Sequence, residues 1–128
     1  MPSGILNPEI ISLLACARSL QTLVIADRGF PYWPKIHTID LSLVDGIPRV
    51  ADVLLALQEE RKVGRIWVAD EFFERNPPAS RLPLEVILNR FSVCREPHDR
   101  FKQRVSSVLG LIRTGDTLQY SNLVLQFD

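Results

Sequence analysis

The sequence is short of almost every feature that would place it in a specialised class. Its two cysteines, Cys16 and Cys94, lie far apart inside apolar segments. That argues against a disulfide framework or a zinc site and suits buried thiols in a reducing cytosol. There is no excess of either charge, because fifteen Lys and Arg balance fifteen Asp and Glu. Neither nucleic acid nor an anionic membrane surface finds an electrostatic footprint here. Long apolar runs are missing as well. The longest stretch without a charge, 117–127, contains Gln119, Ser121, Asn122 and Gln126 and falls far short of the ~18 apolar residues of a spanning helix. The opening Met1-Pro2-Ser3-Gly4-Ile5-Leu6-Asn7 has no basic stretch and no apolar core, so it does not read as a signal peptide. No glycine-rich phosphate loop, metal-ligand cluster or nucleophile elbow occurs, nor any repeat, low-complexity tract or linker. These absences predict a cytoplasmic protein with no metal, no membrane and no nucleic-acid partner.

What is present is an ordinary globular composition. The chain has 128 residues, 46% hydrophobic and 23% charged. At ~100–200 residues per domain this predicts one domain over 1–128, burying roughly two-thirds of the surface its unfolded chain would expose.

Helix-like and strand-like periods alternate along it. Asn7-Pro8-Glu9 combines a cap, a proline at the first helical position and an acid at the positive end of the dipole, and the spacing of Ile10, Leu13, Leu14 and Ala17 predicts a helix over 8–18. The apolar run 22–26, stopped by Asp27-Arg28-Gly29, reads as a strand covered on both faces. Pro31 and Pro34 make a loop around Tyr32 and Trp33. Further strands are predicted over 36–43, 65–69, 91–95, 109–112 and 121–127. Further helices are predicted from Pro48 through Leu57, over 84–90 and over 98–108, with a short one before the Asn76-Pro77-Pro78 break. Such alternation predicts an α/β layered fold with a largely parallel central sheet flanked by helices.

Open α/β sheets bind ligands beyond the carboxyl ends of their strands. Those ends offer Asp27, Asp70 and His98. Lys102 follows His98 by four residues and shares its helix face. Tyr120 and Asn122 flank Ser121 at the entry to the last strand, and an extended segment would point both the same way. A His, a Lys, a carboxylate, a Tyr and an Asn are what a small polyol site uses, since each hydroxyl needs a donor and an acceptor. Each has a plainer reading too. Asp27-Arg28-Gly29 is a common turn, His98 fits a first helical turn, Lys102 a solvated lysine, and Tyr120 and Asn122 turn and strand-edge residues. Asp70-Glu71 reads as a helix start, His37 as an exposed strand position, and Arg113-Thr114-Gly115-Asp116 as weak evidence for an anion nest.

An ordered set of segments resembles the D-ribose pyranase and fucose mutarotase family. It comprises Gly4-Ile5-Leu6-Asn7-Pro8-Glu9, Val24-Ile25-Ala26-Asp27-Arg28-Gly29-Phe30-Pro31, Ile39-Asp40-Leu41-Ser42-Leu43, His98 with Phe101-Lys102, and Arg113-Thr114-Gly115-Asp116 through Tyr120-Ser121-Asn122. The resemblance spans essentially the whole chain and is closer to the ribose branch. It implies a cofactor-free cytosolic protein that interconverts cyclic forms of a free monosaccharide. It also implies a ring-shaped homo-oligomer, a pentamer or a decamer of two stacked pentamers, with sites between subunits. Carried over by position, Asp27 and His98 match substrate-binding residues and Lys102 a lysine near the sugar, with Tyr120 and Asn122 supplied by the adjacent protomer. One position departs. The family's acid histidine precedes the first strand, and this chain has Ser19 there, within Arg18-Ser19-Leu20-Gln21. The Tyr32-Trp33-Pro34 loop is also bulkier than the family's turn. Serine titrates far too high to replace imidazole, so the resemblance implies a mutarotase in which Asp27 and His98 take over the proton work, or a sugar-binding homologue that has lost most of the rate.

Overall fold

The computed structural model describes residues 4–128; Met1-Pro2-Ser3, part of the opening read above as no signal peptide, lies outside them. Asn7 caps the first helix, α1 (Pro8–Cys16), its Oδ1 accepting from Glu9 N at 2.9 Å and Ile10 N at 3.1 Å. The helix stops two residues before the predicted 18, because Ala17 turns to extended backbone and is buried. Arg61 Nη1 then donates to the carbonyls of Leu14 and Ala17, groups that a helix end leaves without partners.

The remaining elements are β1 (Thr22–Ala26), β2 (Thr38–Asp40), α2 (Val50–Glu60), β3 (Val63–Ala69), α3 (Asp70–Arg75), α4 (Pro78–Leu88), β4 (Val93–Glu96), α5 (His98–Val105), β5 (Leu111–Arg113) and β6 (Leu123–Phe127). Most of these boundaries differ from the sequence expectation by a few residues, and three of the differences have clear physical reasons. β2 is shorter than 36–43, since Trp33 O accepts from Ile36 N in a turn and Asp40 Oδ1 turns the chain by accepting from Ser42 N. α4 starts at the proline pair read as a breaker, because Pro78 occupies the first helical turn where no N–H is needed, and it continues through Pro83. β3 starts before Gly64, and that glycine sits at a register shift where a side chain would press on Asp128.

Six strands form one sheet in the order β2-β5-β1-β6-β3-β4. β1 is parallel to β5, β5 to β2 and β3 to β4, while β6 runs antiparallel to both β1 and β3. Five strands therefore point one way and β6 the other. β1 lies in the middle with Leu23, Val24, Ile25 and Ala26 fully buried. Its alternate side chains serve two cores. Leu23 and Ile25 join Leu54, Leu57, Phe72, Leu84 and Leu88 on the α1, α2, α3 and α4 face, whereas Val24 and Ala26 join Trp67, Phe101 and Val105 on the α5 face.

Because β6 is reversed, the segment before it stays at the edge of the sheet where β1, β3, β4 and β5 end. Gly115 fastens that segment to the loop between β2 and α2, donating to Pro48 O at 2.9 Å and accepting from Gly46 N. A Cβ at 115 would collide with the carbonyl oxygen of Val44 and lie 2.7 Å from that of Ile47. Gly115→Ala is expected to lower stability by about 1–3 kcal/mol, read from the urea midpoint; an unchanged midpoint would contradict this packing.

Candidate functional site

The edge just described gathers the end of β1, the start of α5 and the segment entering β6 around one cavity. It has a volume of about 330 Å³ and is lined by Asp27, Gly29, Phe30, Pro31, His98, Gln119, Tyr120 and Asn122. Four of the six predicted site residues, Asp27, His98, Tyr120 and Asn122, thus meet within one chain. Tyr120 and Asn122, expected above from a neighbouring protomer, line a cavity of their own chain. Their shared orientation does not arise from an extended segment. Tyr120 sits in a turn with φ of 57°, and the reversal of β6 brings both residues to the cavity.

Ser19 lies elsewhere. It precedes β1, whereas Asp27 follows it, and a five-residue strand spans roughly 17 Å. Leu20 N donates to Phe127 O, at the far end of β6, so Ser19 is exposed at the opposite edge of the sheet. No side chain at position 19 can reach its own chain's cavity. Lys102 is one turn beyond His98, exposed and outside the lining. Tyr32 projects into solvent, and Trp33 packs on the α5-side core with its buried Nε1 unpartnered. Neither lines the cavity.

Asp27 is held through its backbone and one carboxylate oxygen. Its backbone N donates to Asn122 Oδ1 at 2.7 Å, and its Oδ1 accepts from Gly29 N at 2.9 Å. Arg113 Nη1, from the end of β5, pins the following turn by donating to the carbonyls of Arg28 and Phe30. The Asn122 amide therefore spends its oxygen on the backbone and keeps its N–H groups for a ligand. Burial pushes the Asp27 carboxyl above the ordinary 3.8, helped by the Asp116 carboxylate and opposed by Gly29 N and Arg113. Asp116 is itself fixed, accepting from Val50 N at the start of α2 and from Leu118 N.

His98 opens α5, its backbone N donating to Glu71 Oε1 at 2.9 Å. Its ring meets Tyr120 edge-on at 4.9 Å and stacks on Phe101 at 6.1 Å, and its Nδ1 is buried without a hydrogen-bond partner. Burial, then the Lys102 charge, lowers the imidazole below the ordinary 6.5 against Glu71 and Asp99. The sign follows. The folded chain binds fewer protons than the unfolded one below pH 6.5, so the stability tied to His98 is full above that pH and is lost as pH falls toward the folded value. An NMR titration of the imidazole is expected to give a midpoint below 6.5; a midpoint at or above it would contradict this burial.

The sequence reading did not find Gly29, Phe30, Pro31 and Gln119 as lining residues, nor Glu71 as the partner of His98. Asp70-Glu71 at the end of β3 was the available signal for the last. Among the described residues no three His, Cys, Asp or Glu side chains group as a metal site would require, and no helix is long and apolar enough to cross a membrane. Chemically, the cavity offers one protonatable pair with amide and phenol groups beside it, which suits a small neutral polyol.

Comparison with known proteins extends this. The RbsD / FucU transport protein family model matches residues 1–127. The D-ribose pyranase of Geobacillus kaustophilus is 36% identical, with 97% of this chain and 90% of that protein covered. The structure of Bacillus subtilis RbsD complexed with D-ribose superposes with a TM-score of 0.87 at 30% identity, covering 99% of this chain and 96% of that one. The fucose mutarotase of Streptococcus pneumoniae, solved in complex with L-fucose, gives a TM-score of 0.68 at 16% identity over 94% of this chain and 91% of that one, a likeness of fold alone.

Proposed function

Since this chain belongs to the RbsD / FucU transport protein family, we propose that it is a cytoplasmic, single-domain sugar mutarotase. On this reading it interconverts the cyclic forms of a free, ribose- or fucose-like monosaccharide by acid–base ring opening. The observation that carries the reading is that Asp27 and His98 line one cavity, with the carboxyl raised and the imidazole lowered. Ring opening needs one proton removed from the anomeric hydroxyl and one delivered to the ring oxygen; reclosure through another hydroxyl reverses the two transfers. One group can give a proton to the sugar while the other accepts one from it. The pair thus returns to the same charge after each opening and needs no cofactor. Asn122 N–H groups and the Tyr120 phenol orient the hydroxyls. The Lys102 charge lies outside the lining and acts on His98.

Position 19 enters only between copies. With Ser19 at the far edge of β1, a neighbouring subunit of a pentameric or decameric ring is what could bring it to a cavity. Here that residue is a serine, so the family's acid histidine is lacking and the rate is reduced. Ser19 itself can hold no more than a water. The absence of that histidine also favours a second reading, a non-catalytic monosaccharide-binding homologue. Exchange NMR of D-ribose and L-fucose with the protein decides between them. Accelerated exchange of ring forms is expected. Sugar-dependent thermal stabilisation without acceleration would select the binding homologue, and neither effect would remove both readings.

A further inference from the structure

The turn that carries Tyr120 holds a backbone conformation that tyrosine does not favour. Its φ of 57° is left-handed, where Cβ crowds the following carbonyl. Strain of this kind persists only where the surroundings over-determine it, and it gathers at functional sites. Two contacts fix the ends of the turn: Leu118 N donates to Asp116 Oδ1, and Ser121 Oγ donates to Leu118 O, each at 2.9 Å. Neither acts on the peptide joining Gln119 to Tyr120. That peptide is planar, so the direction of the Gln119 carbonyl fixes the plane holding Tyr120 N and with it the φ of Tyr120. The Gln119 carbonyl accepts from Asn76 Nδ2 at 2.8 Å.

Asn76 lies outside the cavity lining, buried at the C-terminal end of α3. Both bonds of its amide nitrogen run to backbone carbonyls, since Nδ2 also donates to Phe72 O at 2.9 Å. Its own carbonyl is clamped by Arg81 Nη1 at 2.8 Å, and the same nitrogen reaches Phe73 O. A rigid donor anchored in α3 and α4 thus sets the strained peptide beside the site. We propose that Asn76 is a positioning residue, which by holding the Gln119 carbonyl keeps the Tyr120 ring against His98. Its kinetic consequence rests on the mutarotase reading; its structural consequence does not.

Asn76→Ser separates the two hydrogen bonds of the amide. A serine hydroxyl can bond back to the carbonyl four residues earlier, retaining the bond to Phe72, but it is too short for Gln119. The first readout is the sugar-free NMR titration of His98, whose imidazole faces Tyr120, Phe101, Glu71, Asp99 and Lys102. With the Tyr120 ring released and the three charged neighbours unchanged, the midpoint is expected to rise toward 6.5. The second readout is exchange, where kcat/KM is expected to fall about five- to tenfold, the scale of one lost hydrogen bond. In a Tyr120→Ala background the same change should have no further effect, because Asn76 acts through that ring. A folded Asn76→Ser protein with an unmoved His98 midpoint would overturn the proposal. If Asn76→Ser does not fold, Asn76→Ala, which lacks the donors and adds no charge, decides by the same titration. A shifted midpoint in a protein whose wild type accelerates no exchange would support the positioning and remove the mutarotase reading instead.

Discussion

Asp27→Asn is expected to slow sugar ring opening by ~10²–10⁴-fold, the usual worth of a positioned general acid–base group. The substitution keeps the Oδ1 atom that accepts from Gly29 N and the side-chain size, and removes only the capacity to take a proton. Its stability effect should run the other way. Burial raises the folded-state pKa of Asp27 above 3.8, so the folded chain binds that proton more tightly than the unfolded one. Stability accordingly falls as pH rises from 3.8 through the folded value, and at neutral pH the ionised carboxylate destabilises the fold. The amide has no such penalty. Urea unfolding at neutral pH should therefore show the variant at least as stable as wild type, with the rate gone. An inactive variant that is also strongly destabilised would mean that Asp27 serves the turn and not the reaction.

Ser19→His is expected to raise the exchange rate by about 10²-fold, the lower part of the general-acid range, with a new inflection near pH 6–7 from an imidazole of ordinary pKa. The geometry adds a condition. Position 19 lies across β1 from its own cavity, so the gain must come from another subunit and should vanish when the protein is diluted to monomers. Backbone accommodation is not at issue, because Ser19 is exposed in the turn between α1 and β1. A folded Ser19→His protein that assembles and binds sugar but gains no rate would sink the account of a missing acid. A gain that persists in the monomer would contradict the sidedness described above.

The local signals in the sequence were strong where one short segment carries its own chemistry. Asn7-Pro8-Glu9 announces α1, and the apolar run ended by Asp27 announces β1 and its burial on both faces. The end of β1 also yielded Asp27 and, through the start of α5, His98. Direction was not legible. Nothing in the residues of β6 says that it runs against its neighbours, yet that reversal delivers Tyr120 and Asn122 to the chain's own cavity. The side of β1 on which Ser19 lies follows from strand geometry, but the resemblance alone attached the neighbouring protomer to Tyr120 and Asn122. Asn76 was hidden for another reason. Before two prolines it reads as a helix breaker, and its bond to Gln119, 43 residues away, exists only in the folded chain.

The central claim is that Asp27 and His98 divide between them the two proton transfers that open the ring, and the pH profile of the wild-type exchange rate tests it most directly. Exchange between pyranose and furanose forms of ribose, measured by saturation-transfer NMR across the acid and neutral range, should follow the one-proton state of the pair. The profile should therefore be bell-shaped, with its acid limb above 3.8 and its alkaline limb below 6.5, as the directions of the two shifts require. Acceleration that is flat through this range, or that climbs steadily above pH 6.5, would contradict it.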